Sequence, residues 1–408
     1  MRDEACAQSI PFMSASLQRM ALTLVCAVFL WSCAGNPRLP AFATLDGNRP
    51  LVIAHRGASG YLPEETYEAY VKAIEIGADV IEFDLISTKD GVLIARHDPN
   101  LASSTDVAKH GEFAYRKKTV QVDGETQTGW FAGDFTLAEI KTLGCISNDA
   151  ERPQQHNGLY KIVTFEEIID LAKTRSRDGR VIAIYVETKN PTYHRGLGLP
   201  LEDTLIETLD RAGWNSRDAP VFVQSFEPSS LKYMRTRGLK TKLVQLIDAN
   251  DYDLGAGTIT FAPPFDRPYD WTLAGDSRLF SVMVTPAGLA EIKTYADAIG
   301  PWKPYIVPVK GTRDASGNMR DMNGDGKVDY ADASTQLPTT LVADAHRAGL
   351  LVHPYTFRNE ARRLAYDYHD DPKAEYLQFY RLGVDGVFSD FPDTALAARA
   401  DFSKDPSH

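Results

Sequence analysis

The stretch VIEFDLISTKDGVLIARHD, residues 80–98, decides the fold. Its first eight residues, Val80–Ser87, are an apolar, β-branched run interrupted by Glu82 and Asp84. Those two carboxylates stand two positions apart and so share one face of a strand. Thr88-Lys89-Asp90-Gly91 follows, and its Asp-Gly step marks a hairpin. Val92–Arg96 is therefore read as a short antiparallel strand folded back on its predecessor and ending at His97-Asp98. Two carboxylates facing into an apolar sheet are costly to bury unless a cation or a proton compensates. This strand is expected to line a chemical site.

Working outward, the other strand candidates are Leu51–His55, Val181–Glu187, Val221–Ser225, Lys242–Ile247, Tyr305–Val309, Leu350–Thr356 and Gly386–Ser389. Segments of helical period lie between most of them: Glu65–Ile76, Phe165–Thr174, Leu201–Ala212, Pro228–Arg237, Pro338–Ala348 and Pro372–Leu382. Strands alternating with helices predict a parallel sheet. With Val80–Ser87 the parallel candidates number eight, enough to close a TIM (β/α)8-type barrel, so the fold class is α/β with one barrel domain over residues 49–400. Two polar stretches interrupt the alternation. Residues 98–161 read as a small capping subdomain inserted after the hairpin, and residues 249–278 as a Gly-, Pro- and aromatic-rich stretch with no clean helix. Both are expected at the C-terminal mouth, where barrel loops shape the pocket.

The chemistry lies in how the strands end. The apolar run Leu51–Ala54 ends in His55-Arg56-Gly57, the hairpin strand in His97-Asp98, and the 181–187 run in Glu187-Thr188-Lys189. His55-Arg56-Gly57, then Glu82-x-Asp84, then His97-Asp98 is similar to the signature of the glycerophosphodiester phosphodiesterase family. Glu187-x-Lys189, Gln224-Ser225-Phe226, the HPYTFR segment from His353 to Arg358 and the DGVFSD segment from Asp385 to Asp390 agree with it, so the resemblance runs from about Leu51 to Ala397. The long insertion after His97 resembles the one that marks the periplasmic branch. The resemblance implies a TIM-like barrel, a divalent metal, and hydrolysis of glycerophosphodiesters to sn-glycerol 3-phosphate and an alcohol. It also implies attack by the neighbouring glycerol hydroxyl, giving a cyclic phosphate that water then opens.

The residues themselves suit those roles. Phosphodiester hydrolysis needs a base, an acid and positive charge on the phosphoryl oxygens. His55 and His97 fit the acid–base pair, since an unperturbed imidazole titrates near pH 6.5; which is acid and which base stays open. Glu82, Asp84 and Glu187 form an all-oxygen set that favours Ca²⁺ or Mg²⁺ over zinc. Arg56 and Lys189 are candidates for holding the phosphate. Tyr355 and Phe357 read as packing ahead of glycerol contact, and Gln224, Asp385 and Asp390 as loop hydrogen-bonders or helix caps. Sphingomyelinase D-like and phosphatidylinositol phospholipase C-like enzymes share such a barrel and its paired histidines, and a binding lipoprotein is the non-enzymatic rival. The insertion and the HPYTFR segment favour the glycerophosphodiesterase, and inward carboxylates have no use in a bare scaffold.

A second motif stands apart from the barrel. Asp321–Asp332, DMNGDGKVDYAD, follows the twelve-residue EF-hand calcium loop. Asp321, Asn323 and Asp325 fill positions one, three and five, with Gly326 at the turn. Lys327 offers its carbonyl, Asp329 fills position nine, and Asp332 stands where Glu is usual. The preceding 311–320 segment does not look helical. The loop is placed after the seventh parallel strand and expected to hold a structural Ca²⁺ away from the chemistry.

The 12-residue apolar run Met20–Trp31, preceded by Arg19, is too short to cross a bilayer and suits a signal peptide over 1–32. Leu30-Trp31-Ser32-Cys33 resembles a lipobox, so Cys33 is a lipidation candidate, residues 33–48 a linker, and the destination the periplasm or a lipid anchor on the bacterial envelope. Of four cysteines only Cys145 then lies in the body of the protein, which excludes a disulfide framework. A net charge of −11 over 408 residues argues against a nucleic-acid partner and leaves small-molecule glycerophosphodiesters, recruited through the metal and local cations.

Overall fold

The computed structural model describes residues 42–404; the signal segment, Cys33 and the first part of the linker lie outside the described residues. β1 (Leu51–Ala54) leads through a helix, Tyr67–Ile76, to β2 (Val80–Ser87). β3 (Leu93–Ala95) folds back antiparallel on β2, with Leu85 opposite Ala95, as the Asp-Gly turn predicts. The insertion contributes a hairpin, β4 (Lys118–Val122) and β5 (Glu125–Gly129). The main sheet resumes with β6 (Ala183–Thr188), β7 (Val221–Ser225) and β8 (Lys242–Ile247). A second hairpin, β9 (Asp251–Asp253) and β10 (Thr258–Thr260), precedes β11 (Ala298–Pro301). β12 (Val309–Gly311) and β13 (Ala333–Thr335) pair outside the barrel, and β14 (Leu351–Val352) and β15 (Gly386–Ser389) complete it.

The eight parallel strands run in the order β14-β11-β8-β7-β6-β2-β1-β15. The remaining seam carries main-chain bonds from Asp385 N to Val352 O (2.9 Å), Phe388 N to Pro354 O (3.1 Å) and Phe357 N to Phe388 O (2.8 Å). The result is the nearly closed α/β barrel that the alternation predicts.

One strand is corrected. Tyr305–Val309 is not in the barrel: Lys303–Tyr305 is a 3₁₀ turn and Val309 begins β12. The barrel strand is β11, Ala-Ile-Gly-Pro, whose Gly-Pro end reads as a turn in sequence. A Cβ on Gly300 would stand 2.7 Å from Leu246 Cδ2, so a larger residue there would require Leu246 to shift. The Asp321–Asp332 loop lies between the sixth and seventh parallel strands, β11 and β14, on the β12–β13 pair, and not after the seventh; Tyr305–Val309 is the seventh strand candidate only if the antiparallel hairpin strand is counted. The helix expected at Glu65 begins only at Tyr67, capped by Thr66, whose side chain accepts from Ala69 N; Glu65 itself sits at φ +60°. The aromatic-rich 249–278 stretch contains one short helix, Tyr269–Ala274, which its sequence does not announce.

Side chains alternate along each strand between two apolar layers. One face packs on the surrounding helices through Ile81, Phe83, Ile184, Val186, Val221 and Val223. The other fills the barrel with Ile53, Val80, Tyr185, Phe222, Val244 and Phe388. The insertion has its own small core of Leu101, Val107, Phe113, Trp130, Phe135 and Ile140, joined to Ile86 and Ile94 of the β2–β3 hairpin. At the end of the expected linker, Leu45 N donates to Asp385 Oδ1 at 2.7 Å.

Candidate active site

Strand register assembles the site. In the paired ladders Asp84 lies opposite Glu187, and Glu187 opposite Gln224. Two residues earlier on β6 and β7 the same inward face carries Tyr185 and Phe222, stacked at 4.9 Å. A polar layer therefore rests on an aromatic floor, at the C-terminal ends of the strands. His55 and Arg56 follow β1 and His97 follows β3 into the same cavity, of about 810 Å³.

Glu82, Asp84 and Glu187 are all buried, and one oxygen from each lies within 4.8 Å of the others. Glu82 Oε2 accepts from Arg56 N (2.8 Å) and Oε1 from Gln224 Nε2 (3.0 Å). Asp84 Oδ2 is buried with no hydrogen-bond partner, 3.3 Å from Arg56 Nε. Burial, with Asp84 and Glu65 nearby, pushes Glu82 well above the carboxylate range. Burial likewise pushes Glu187 up to about 8, against Lys189 and with Asp84. For Asp84 burial is outweighed by Lys189, His97 and Arg56, which hold its carboxyl well below the usual range. An all-oxygen set with an orphaned carboxylate oxygen and crowded negative charge fits a hard divalent cation.

The cations stand beside this set. Arg56, at φ +54°, donates from Nη1 to Glu64 Oε2 at 3.0 Å. Lys189 Nζ is 3.1 Å from Glu187 Oε1, with its ammonium 5.5 Å from the Phe226 ring centroid. His55 is buried, with Nδ1 2.5 Å from Asp390 Oδ1. Burial and Arg56 push its imidazole down to about 4, against the pull of Asp390. His97 is half-buried, with Nδ1 2.8 Å from Asp98 Oδ1.

The matching family model is the glycerophosphoryl diester phosphodiesterase family, over residues 55–394. The chain belongs to that family. Its relatives include plant and bacterial enzymes. A glycerophosphodiester phosphodiesterase of Arabidopsis thaliana is 39% identical over 390 residues, covering 90% of this chain and 93% of the relative. One from Haemophilus influenzae is 30% identical, covering 93% and 98%. The fold matches a solved Oleispira antarctica phosphodiesterase in complex with the product sn-glycerol-3-phosphate at TM-score 0.51 and 18% identity, covering 86% of this chain and 96% of that one.

Within this family member, all seven residues expected at the centre line one cavity: His55, Arg56, Glu82, Asp84, His97, Glu187 and Lys189. Gln224 and Asp390, read as bland, hold Glu82 and His55. Asp385 is structural, binding Leu45 N and Val352 N. Tyr355 lines the cavity with its hydroxyl on Ile247 O (3.0 Å), whereas Phe357 is core against Tyr376 and Phe379. Sequence reading misses Glu64, which holds Arg56, and Glu65, whose Oε1 accepts from Asp84 N at 3.0 Å. The signal available is Pro63-Glu64-Glu65-Thr66, two acids just before a helix cap. The 321–332 loop also reaches closer than expected, since Asp329 and Tyr330 line the cavity.

Proposed function

We propose that this chain hydrolyses glycerophosphodiesters to sn-glycerol 3-phosphate and an alcohol, with His55 as proton acceptor, His97 as proton donor, and Ca²⁺ or Mg²⁺ held by Glu82, Asp84 and Glu187. The observation that carries the proposal is the convergence of three buried carboxylates within 4.8 Å of one another in a cavity that also takes two histidines and two cations. The relatives named for this activity, and the product bound to the Oleispira protein, support the substrate class.

His55 Nδ1–H donates to the ionised Asp390, which leaves the Nε2 lone pair to take the proton of the attacking hydroxyl. Arg56 and Lys189 bind and orient the phosphoryl oxygens. His97 is oriented through Asp98 and gives its proton to the leaving alkoxide as the phosphorus–oxygen bond breaks. A divalent ion, when bound, supplies positive charge to the phosphoryl oxygens. Water then opens the cyclic phosphate with the two histidines exchanging roles.

Release of sn-glycerol 3-phosphate from glycerophosphocholine, with and without chelator, tests this reading. Release that stops on chelation and returns with Ca²⁺ or Mg²⁺ supports it; no release by metal-loaded enzyme overturns it. Two further readings belong to the same proposal. The Asp321–Asp332 loop holds a structural Ca²⁺, supported by its motif. The chain is exported, as in the periplasmic branch, and lipidated at Cys33, which labelling with a radioactive fatty acid tests against Cys33→Ala.

A further inference from the structure

Besides Asp98, which bonds its neighbour His97, the inserted segment reaches the acid–base pair through one buried carboxylate, that of Asp390. Asp390 is 1% exposed and uses both oxygens. Oδ1 takes His55 Nδ1 at 2.5 Å, and Oδ2 takes Arg152 Nη2 at 2.5 Å and Arg358 Nε at 3.0 Å. Arg152 comes from the insertion and is itself fixed, with Nε on Glu360 Oε1 at 3.0 Å and Nη1 on Ser59 O at 3.3 Å. A carboxylate bonded on both sides cannot rotate, so the imidazole it holds is fixed in plane and tautomer. A bare carboxylate that close would also draw His55 toward the imidazolium, which could no longer accept a proton. Two guanidiniums on the far oxygen offset that pull.

We propose that Asp390 and Arg152 are positioning residues for His55: Asp390 fixes the Nδ1–H tautomer, and Arg152 offsets the Asp390 charge so that the imidazole stays neutral. The insertion thereby completes the proton acceptor as well as capping the pocket. This rests on His55 being that acceptor. The charged groups around His55 are Asp390 after β15, Arg56 after β1, Arg358 on the 353–358 segment and Arg152 behind Asp390, with the acidic triad in the same cavity. Burial and Arg56 do most to lower the His55 titration, with Arg358 acting in the same direction and Asp390 against it.

The two positioning residues should move His55 in opposite directions. ¹⁵N NMR of the metal-loaded full chain reads its tautomer and titration midpoint, and the acid limb of kcat/KM reads it independently. Asp390→Asn should lower the midpoint, mix the tautomers and cut kcat by at least about 10²-fold. Arg152→Ala should raise the midpoint and cut kcat about tenfold with KM little changed, and Arg152→Lys should restore most of both. Arg116→Ala is the control: it breaks the Arg116–Glu139 pair inside the insertion, away from Asp390, and should leave the midpoint alone. An unchanged His55 midpoint in folded Asp390→Asn and Arg152→Ala overturns the inference, as does an Arg116→Ala shift as large as that of Arg152→Ala. Full activity in His55→Ala would instead overturn the acceptor role proposed above.

Discussion

Two acidic regions of this molecule solve opposite problems. The Glu82–Asp84–Glu187 set is buried, and its carboxylates crowd one another at the barrel mouth with few donors; Asp84 Oδ2 has no hydrogen bond. The Asp321–Asp332 loop is mostly exposed and supplies its own donors. Asp321 accepts from Gly324 N (2.6 Å) and Gly326 N (2.9 Å), and Asp332 from Met322 N, Asn323 N and Asp329 N. Carboxylates satisfied by main-chain N–H groups cost little, even the buried Asp332, while carboxylates packed together in a low dielectric with few donors need a cation. Under the proposed function an ion would be a working part in the first region and reinforcement in the second.

The largest expected effect is on the buried set. Glu82→Ala or Asp84→Ala should abolish activity without rescue at ordinary metal levels, while the fold survives. Near-full turnover in either variant would erase the distinction between the regions. His97→Ala comes next, with an expected loss in kcat of at least about 10²-fold. Its melting temperature should change little, because the His97 ring is partly exposed and bonds to its chain neighbour Asp98, not to a distant element. Wild-type turnover in that variant would remove it from the mechanism.

That the site is legible at all follows from period-two geometry. Glu82, Asp84 and Glu187 announce themselves because charged residues stand on the inward face of apolar strands, and the hairpin turn carries His97 back to them. The sixth parallel strand is misplaced by sequence reading for the converse reason: β11 is only four residues, Ala-Ile-Gly-Pro, so the local residues look like a turn. Glu65 is hidden because its role depends on a left-handed backbone position before the helix, and Asp390 because its partner lies 335 residues away. Contacts made by closing the barrel leave no local pattern.

Buried imidazoles extend the same contrast to stability. Burial pushes His55 and His353 down to about 4 and His194 to about 3. The unfolded chain takes up these protons near pH 6.5 and the folded chain does not, so stability is fully present above about pH 6.5 and falls as pH drops toward 4. At pH 5 each such group costs about 2 kcal/mol. Urea unfolding at pH 7 and pH 5 should show the loss, and His194→Leu, which removes a ring with neither nitrogen partnered, should recover about one share. An unchanged difference between the two pH values in that variant would show His194 to titrate normally.

The smallest effect is expected at the exposed loop. A site bound only in the folded state stabilises by RT ln(1 + [L]/Kd). With the 10⁻⁴ to 10⁻³ M affinities of extracellular calcium modules, 1 mM calcium yields about 0.4–1.4 kcal/mol. Asp321 and Asp325 are the residues to change, because Asp329 lines the cavity and would confuse the two roles. Asp321→Ala with Asp325→Ala should remove one calcium per chain, lower the melting temperature by a few degrees and speed proteolysis between residues 311 and 336, with kcat under saturating metal within a few-fold. Unchanged calcium stoichiometry would show that the loop binds no calcium and that its motif match is coincidental. A collapse of kcat with the fold intact would mean that its ion acts through Asp329 and Tyr330 on the mouth of the barrel, and the two acidic regions would then be one site.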